Sequence, residues 1–390
     1  LANDPLRKSQ YMRLSTQWDK TAGDNLYSLI PYLRMRTNDY TETWDPSLPK
    51  VESEVRTFGI LGLANFEYDS GNETTVGFDL ELTEGDQFSY QPYEITTQGW
   101  NPNTYVEGHQ YYDDTTQYLA ISPYMQHQQV LSNNLVVTVG ARYDYAEYRY
   151  DNHLTTFGPS GYNRMSMADS SDDFSHLSPK ASLNYHLNEK SSIYVRYANS
   201  FRIPTASSLY HLTTKDSEEP KPVDPEISDT YEIGYKANLA NVTFDTALYY
   251  MDVDDGIVHA YNDDGQRELT NASRVIHTGV EVAADWTITD EVNVSLAYSK
   301  SQHTFDEHGE NDEFSGNEMK MAPDYIANVR LRYAPRYLEG LSSQLEVQSI
   351  GEYWLDDANS TNTETGEDRT YEGYTIINLK ARYQVSSQLS

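Results

Sequence analysis

The chain has 390 residues and carries 28 Lys plus Arg against 60 Asp plus Glu, a formal charge of −32. It has no cysteine, which excludes disulfides, thiolate metal sites and iron–sulfur clusters, and so negative a charge repels nucleic-acid phosphate. Hydrophobic residues make up only 38%, yet aromatic residues reach 13% with 34 tyrosines, a content foreign to disordered chains, and no apolar run approaches the roughly 18 residues of a membrane helix.

In chain order, the opening Leu1-Ala-Asn-Asp-Pro5 is polar and has no apolar core of a targeting signal. Period-two alternation then predicts fifteen strands, at 9–18, 25–36, 51–67, 73–84, 115–129, 134–150, 174–187, 192–201, 226–237, 242–253, 275–288, 292–302, 321–333, 341–353 and 371–385. Leu135, Val137, Val139, Ala141, Tyr143 and Tyr145 make one apolar face, against Thr138, Gly140, Arg142 and Asp144 on the other. Short connections such as 188–191 and 289–291 alternate with long ones such as 85–114, 202–225 and 303–320. An antiparallel meander puts every second connection at the same end, so all long loops gather at one end, as in an outer-membrane barrel. A soluble sandwich has no reason to sort its loops this way. The chain stops at Ser386-Ser-Gln-Leu-Ser390, where a further strand is starting, so it reads as an interior piece of something longer. The expected fold is all-β: a transmembrane antiparallel barrel over 1–390.

Acidic clusters such as Asp113-Asp114, Asp254-Asp255 and Asp356-Asp357 fall in long connections, and tyrosines crowd the strand ends beside them. Arg142, Arg196, Glu232, Lys236, Glu281, Arg330, Arg332, Lys380 and Arg382 share the polar parity of their strands. In lipid each charge costs several kcal/mol near the midplane, so this parity is expected to face the lumen. Candidate ligand contacts are Arg202, Tyr210 and His211 in the 202–225 loop, with Tyr194 and Arg196 on the luminal side of the strand that leads into it. Arg202 offers a fixed fork of donors to carboxylate or catecholate oxygens, and Tyr210 a ring to stack on a planar chelate. Asp252-Val-Asp-Asp-Gly256 and Asp263-Asp-Gly265 are pieces of a calcium loop that never complete the twelve-residue pattern. The ten histidines make no metal-ligand spacing and no catalytic set is visible, so no metal, cofactor or enzyme activity is expected.

Four stretches resemble TonB-dependent outer-membrane receptors, in family order: Leu177-Ser-Pro-Lys-Ala-Ser-Leu-Asn-Tyr185, Tyr197-Ala-Asn-Ser-Phe-Arg-Ile-Pro-Thr-Ala-Ser-Ser-Leu-Tyr210, Val223-Asp-Pro-Glu-Ile-Ser-Asp-Thr-Tyr-Glu-Ile-Gly-Tyr-Lys236 and His277-Thr-Gly-Val-Glu-Val-Ala-Ala-Asp-Trp286. The resemblance implies a 22-stranded barrel, of which about 15 strands are here, and a plug carrying the TonB box outside this chain. It implies active uptake: long extracellular loops capture a ferric siderophore or other iron complex, the TonB complex pulls on the plug, and short turns face the periplasm. Ile203 and Ser208 depart from the haem-receptor version of the motif, which weighs against haem. A passive porin, or a receptor for haem, cobalamin or an oligosaccharide, is the alternative; an outer-membrane enzyme or adhesin ranks below both.

Overall fold

The computed structural model describes residues 7–42, 48–68, 70–96, 104–154, 158–161, 164–211, 223–261, 267–308, 314–363 and 365–385. Sixteen strands form one antiparallel sheet. They are β1 Arg7–Ser15, β2 Trp18–Ala22, β3 Asn25–Thr41, β4 Lys50–Glu67, β5 Glu73–Tyr90, β6 Gln110–Ser132, β7 Leu135–Asn152, β8 Ser170–Asn188 and β9 Ser191–Arg202. The sheet continues through β10 Glu226–Asn238, β11 Val242–Tyr261, β12 Arg267–Thr289, β13 Val292–His308, β14 Tyr325–Tyr333, β15 Leu341–Ile350 and β16 Tyr374–Tyr383. Each strand pairs with its chain neighbour, apart from β1 and β2, which both pair with β3. One five-residue helix, α1 Ala206–Tyr210, follows β9. No helix among the described residues is long and apolar enough to cross a membrane.

Every strand that the alternation predicts is present, but extents differ: 321–333, 341–353 and 371–385 shorten to 325–333, 341–350 and 374–383, and two further differences stand out. The first predicted strand is split. Ser15 is the last partner of Tyr32 and Trp18 the first partner of Leu29. Between them Thr16 donates to the Pro31 carbonyl at 3.2 Å, but Pro31 has no N–H to return, so the ladder breaks and restarts. Second, strands run on past their predicted ends at the long-loop side: 242–253 becomes 242–261 and 275–288 becomes 267–289. Polar residues interrupt the apolar alternation in these extensions, as in Gln110-Tyr-Tyr-Asp-Asp-Thr-Thr116, while the backbone ladder continues.

The two faces differ as parity requires. Val139, Leu177, Val195, Ile233 and Leu248 are 48–57% exposed on the outer face, which suits lipid and not water. The inner face carries charge in pairs: Arg142 with Asp79 and Asp144, Lys236 with Asp245, Arg330 with Glu346. Four inward tyrosines lie over a glycine directly opposite: Tyr32 on Gly59, Tyr124 on Gly77, Tyr194 on Gly234 and Tyr249 on Gly279. A Cβ at Gly234 would stand 2.4 Å from the Tyr194 ring, so only glycine admits this contact. The largest fully buried side chains, among them Tyr111, Tyr150, Gln91 and Val51, sit in the long-loop half. Packing there joins strand extensions to one another, whereas the apolar belt packs against nothing in the chain. β1 and β16, exposed along their whole lengths, are the two outer edges of the sheet.

Candidate ligand-binding site

The chain leaves β9 through Phe201-Arg-Ile-Pro204 and turns inward. Thr205 caps α1, its hydroxyl accepting from the Ser208 N–H at 3.2 Å. The His176 and Phe201 ring centroids are 5.0 Å apart. Phe201 and Ile203 line a cavity of about 330 Å³ with Tyr32, Glu81, Tyr118, Arg142 and Asp144. Since Tyr32 belongs to β3 and Phe201 to β9, the sheet curls enough for this strap to reach across its interior.

The predicted loop contacts are placed as anchors of the strap. Tyr210 is 2% exposed. Its hydroxyl donates to Asp172 at 2.6 Å, and its ring stacks on Tyr150 at 4.7 Å and meets Tyr148 edge-on at 6.4 Å. Burial and the Asp172 carboxylate hold the hydroxyl protonated well above the usual tyrosine range. His211 lies 3.1 Å from Asp114, which is itself buried, and 5.0 Å from the Tyr112 ring. Arg202 grips Glu226 with two bonds, 2.6 and 3.1 Å, across the β9–β10 pair. Tyr210 and His211 thus spend their polar atoms and ring faces on the wall of the mouth. Residues 212–222, the rest of this loop, lie outside the described residues, as does the calcium-loop piece Asp263-Asp-Gly265.

Below the strap is a larger cleft of about 740 Å³. Arg142, Lys180, Arg196, Tyr124, Asn199 and Thr230 line it. Arg142 is clamped by Asp79 at 2.5 Å and Asp144 at 2.8 Å. Lys180 and Arg196 make no ion pair within 4.0 Å among the described residues, although Glu232 stands opposite Arg196 across β9–β10, so their charges are less tightly clamped than that of Arg142. Tyr194 points inward beside Glu232 and carries the Lys236 ammonium 5.2 Å from its ring centroid. Glu281 faces the same lumen, opposite Ser299. Arg330 binds Glu346 at 2.6 Å. Arg332, Lys380 and Arg382 gather at the short-turn end around a separate cleft of about 420 Å³ with Asp290 and Glu291.

The sequence reading missed Asp79, Lys180 and Asn199. Parity signals the first, because Gly77, Asp79 and Glu81 alternate with Phe78, Leu80 and Leu82. No local pattern signals that Phe201 and Ile203 cross the lumen. A family model described as TonB dependent receptor-like, beta-barrel matches residues 2–390. The chain belongs to that family. Among curated proteins, this TonB-dependent receptor barrel is 26% identical over 188 residues to the pesticin receptor of Yersinia enterocolitica serotype O:8, 46% of this chain but 26% of that protein. Its fold matches the siderophore receptor PiuA of Acinetobacter baumannii, with a TM-score of 0.77 at 16% identity over 99% of this chain and 59% of that one. It also matches the ferric yersiniabactin uptake receptor FyuA of Yersinia pestis, with a TM-score of 0.69 at 18% identity over 99% and 56%. At these identities the likeness is one of fold, and the chain spans little more than half of each solved structure.

Proposed function

We propose that this chain forms the wall and mouth of an outer-membrane receptor that imports a ferric siderophore or similar iron complex by TonB-coupled active transport. The carrying observation is the cleft beneath the strap. In a chain of net charge −32, it brings Lys180 and Arg196 together without a close ion pair, next to the clamped Arg142. Loosely paired cations in a narrow, low-dielectric passage draw carboxylate, catecholate or hydroxamate oxygens of an iron chelate. Arg196 is the ligand contact of the original set that this reading keeps, with Tyr194 positioned below it. Arg202, Tyr210 and His211 hold the strap in place over the cleft. The long loops face outward and the short turns face the periplasm. The plug, the remaining strands and the segment engaged by the TonB complex lie in parts of the receptor outside this chain.

The test is growth under iron limitation with the full-length receptor and a panel of ferric siderophores. The Lys180→Ala/Arg196→Ala pair is expected to reduce binding of the supporting chelate at least tenfold, about 1.4 kcal/mol, with heat-modifiable gel mobility unchanged. Undiminished binding in an assembled double variant rejects the cleft as the ligand path. Failure of every iron complex to support growth rejects the iron reading itself.

A further inference from the structure

Away from the strap, the middle reaches of β11, β12 and β13 hold a second cluster. His277 on β12 stands directly opposite His303 on β13, and Met251 on β11 stands directly opposite His277. All three share the inward parity of Glu281 and Tyr249. The two Nδ1 atoms are 2.5 Å apart, with ring centroids at 4.8 Å and planes at 63°. The outer nitrogen of His303, Nε2, is held 3.0 Å from the Ser301 hydroxyl, which turns its Nδ1 toward His277. Beyond β13 the chain folds back, and the Met319 N–H donates to the His303 carbonyl at 2.9 Å. Met251 and Met319 both pack on the small core of Val253, Val275 and Phe305 beside the histidines.

We propose that His277 and His303, completed by the thioethers of Met251 and Met319, bind a copper ion. Imidazole serves several first-row metals, but thioether sulfur selects Cu(I) among them, and no divalent first-row ion binds nitrogen donors more tightly than Cu(II). Two imidazoles and two thioethers offer nitrogen and sulfur rather than the oxygen donors that calcium and magnesium take. A metal–nitrogen bond of about 2 Å puts two ligating nitrogens roughly 3 Å apart, a separation that small rotations of the two rings reach. The Ser301 contact supplies the outer hydrogen bond that fixes a ligating imidazole in orientation. Without metal, the same space holds an N–H···N hydrogen bond between neutral rings. The proposal concerns a free ion and stands apart from the iron-chelate reading, whose cleft lies on other strands.

The experiment uses full-length receptor, purified in detergent and stripped with EDTA. It is titrated with Cu(I) against bicinchoninate and, separately, with Zn(II). One equivalent of Cu(I) is expected. His277→Ala/His303→Ala should weaken it at least a hundredfold. Met251→Leu/Met319→Leu should weaken Cu(I) at least tenfold while Zn(II) changes less than twofold. A wild type without a one-equivalent site, or copper binding that survives loss of both histidines, overturns the proposal. Equal copper affinity in the methionine variant overturns the thioether part and with it the assignment to copper. If the histidine variant fails to assemble, X-ray absorption of the wild-type copper complex decides: nitrogen and sulfur scatterers support the site, and a shell without sulfur rejects it.

Discussion

Tyr210 and His211 look like exposed loop residues in the sequence because their partners are distant in it: Asp172 is 38 positions from Tyr210, and Asp114 is 97 from His211. No local pattern reports a contact of that span, so residue type alone suggests ligand chemistry and is silent on the bonds by which the fold ties these groups to the wall. The inward charges were legible because parity is local, two residues at a time. Tyr210→Phe removes a hydrogen bond to a carboxylate and should cost the mouth roughly 1–2 kcal/mol, read as faster amide exchange over 206–211 with the barrel still heat-modifiable. Asp356 gives a pH-dependent case. Its carboxylate accepts from the Ser360 hydroxyl at 2.6 Å and the Ser360 N–H at 3.1 Å, with Arg369 at 3.3 Å. The Ser360 bonds first, then Arg369, hold its carboxyl below the usual range. A depressed carboxyl stabilises above its unfolded value near 3.9, and that stabilisation is lost as pH falls through the folded value. The protection factor of the Ser360 amide should therefore fall below about pH 4, and Asp356→Asn should remove this dependence.

At the level of strands, the alternation was readable wherever one face is apolar and the other polar, and unreadable in the extensions, where polar residues interrupt it. Val139→Arg places a charge on the lipid face and should destabilise by about 2–4 kcal/mol near the midplane, whereas Thr138→Asn, on the lumen side, should be mild. Equal costs in urea unfolding from bilayers would contradict a wall with one face in lipid. The tyrosine–glycine pairs make a finer comparison. A methyl group at Gly234 meets only the far end of the Tyr194 ring, which can swing away from Lys236. At Gly77 it meets the Gly62 carbonyl at 2.5 Å as well as the Tyr124 ring, and backbone cannot retreat. Gly77→Ala should cost about 2–3 kcal/mol and Gly234→Ala about 1 kcal/mol, measured in the same unfolding assay.

For the molecule as a whole, the orientation proposed from loop length is open to labelling. A cysteine at Asn359 should react with an impermeant maleimide on intact cells, and one at Asn188 or Thr289 should not; the opposite pattern inverts the barrel. The two exposed edge strands cannot remain unpaired in hydrocarbon, so β1 and β16 each need a further strand partner to complete the wall. The strand extensions carry a consequence for where capture happens. β6 and β12 each have 23 residues. At about 3.3 Å per residue and a tilt near 40°, each climbs roughly 58 Å. The apolar band takes about 25 Å of that, leaving at these strands a wall roughly 30 Å tall, whereas β14, β15 and β16, of 9, 10 and 10 residues, end near the band. The rim of the tall side stands off from the lipid headgroups by several Debye lengths at physiological salt. A solute that approaches over the tall side therefore feels the charge of that rim first, and changing the lipid headgroup composition should leave its association rate there unaltered.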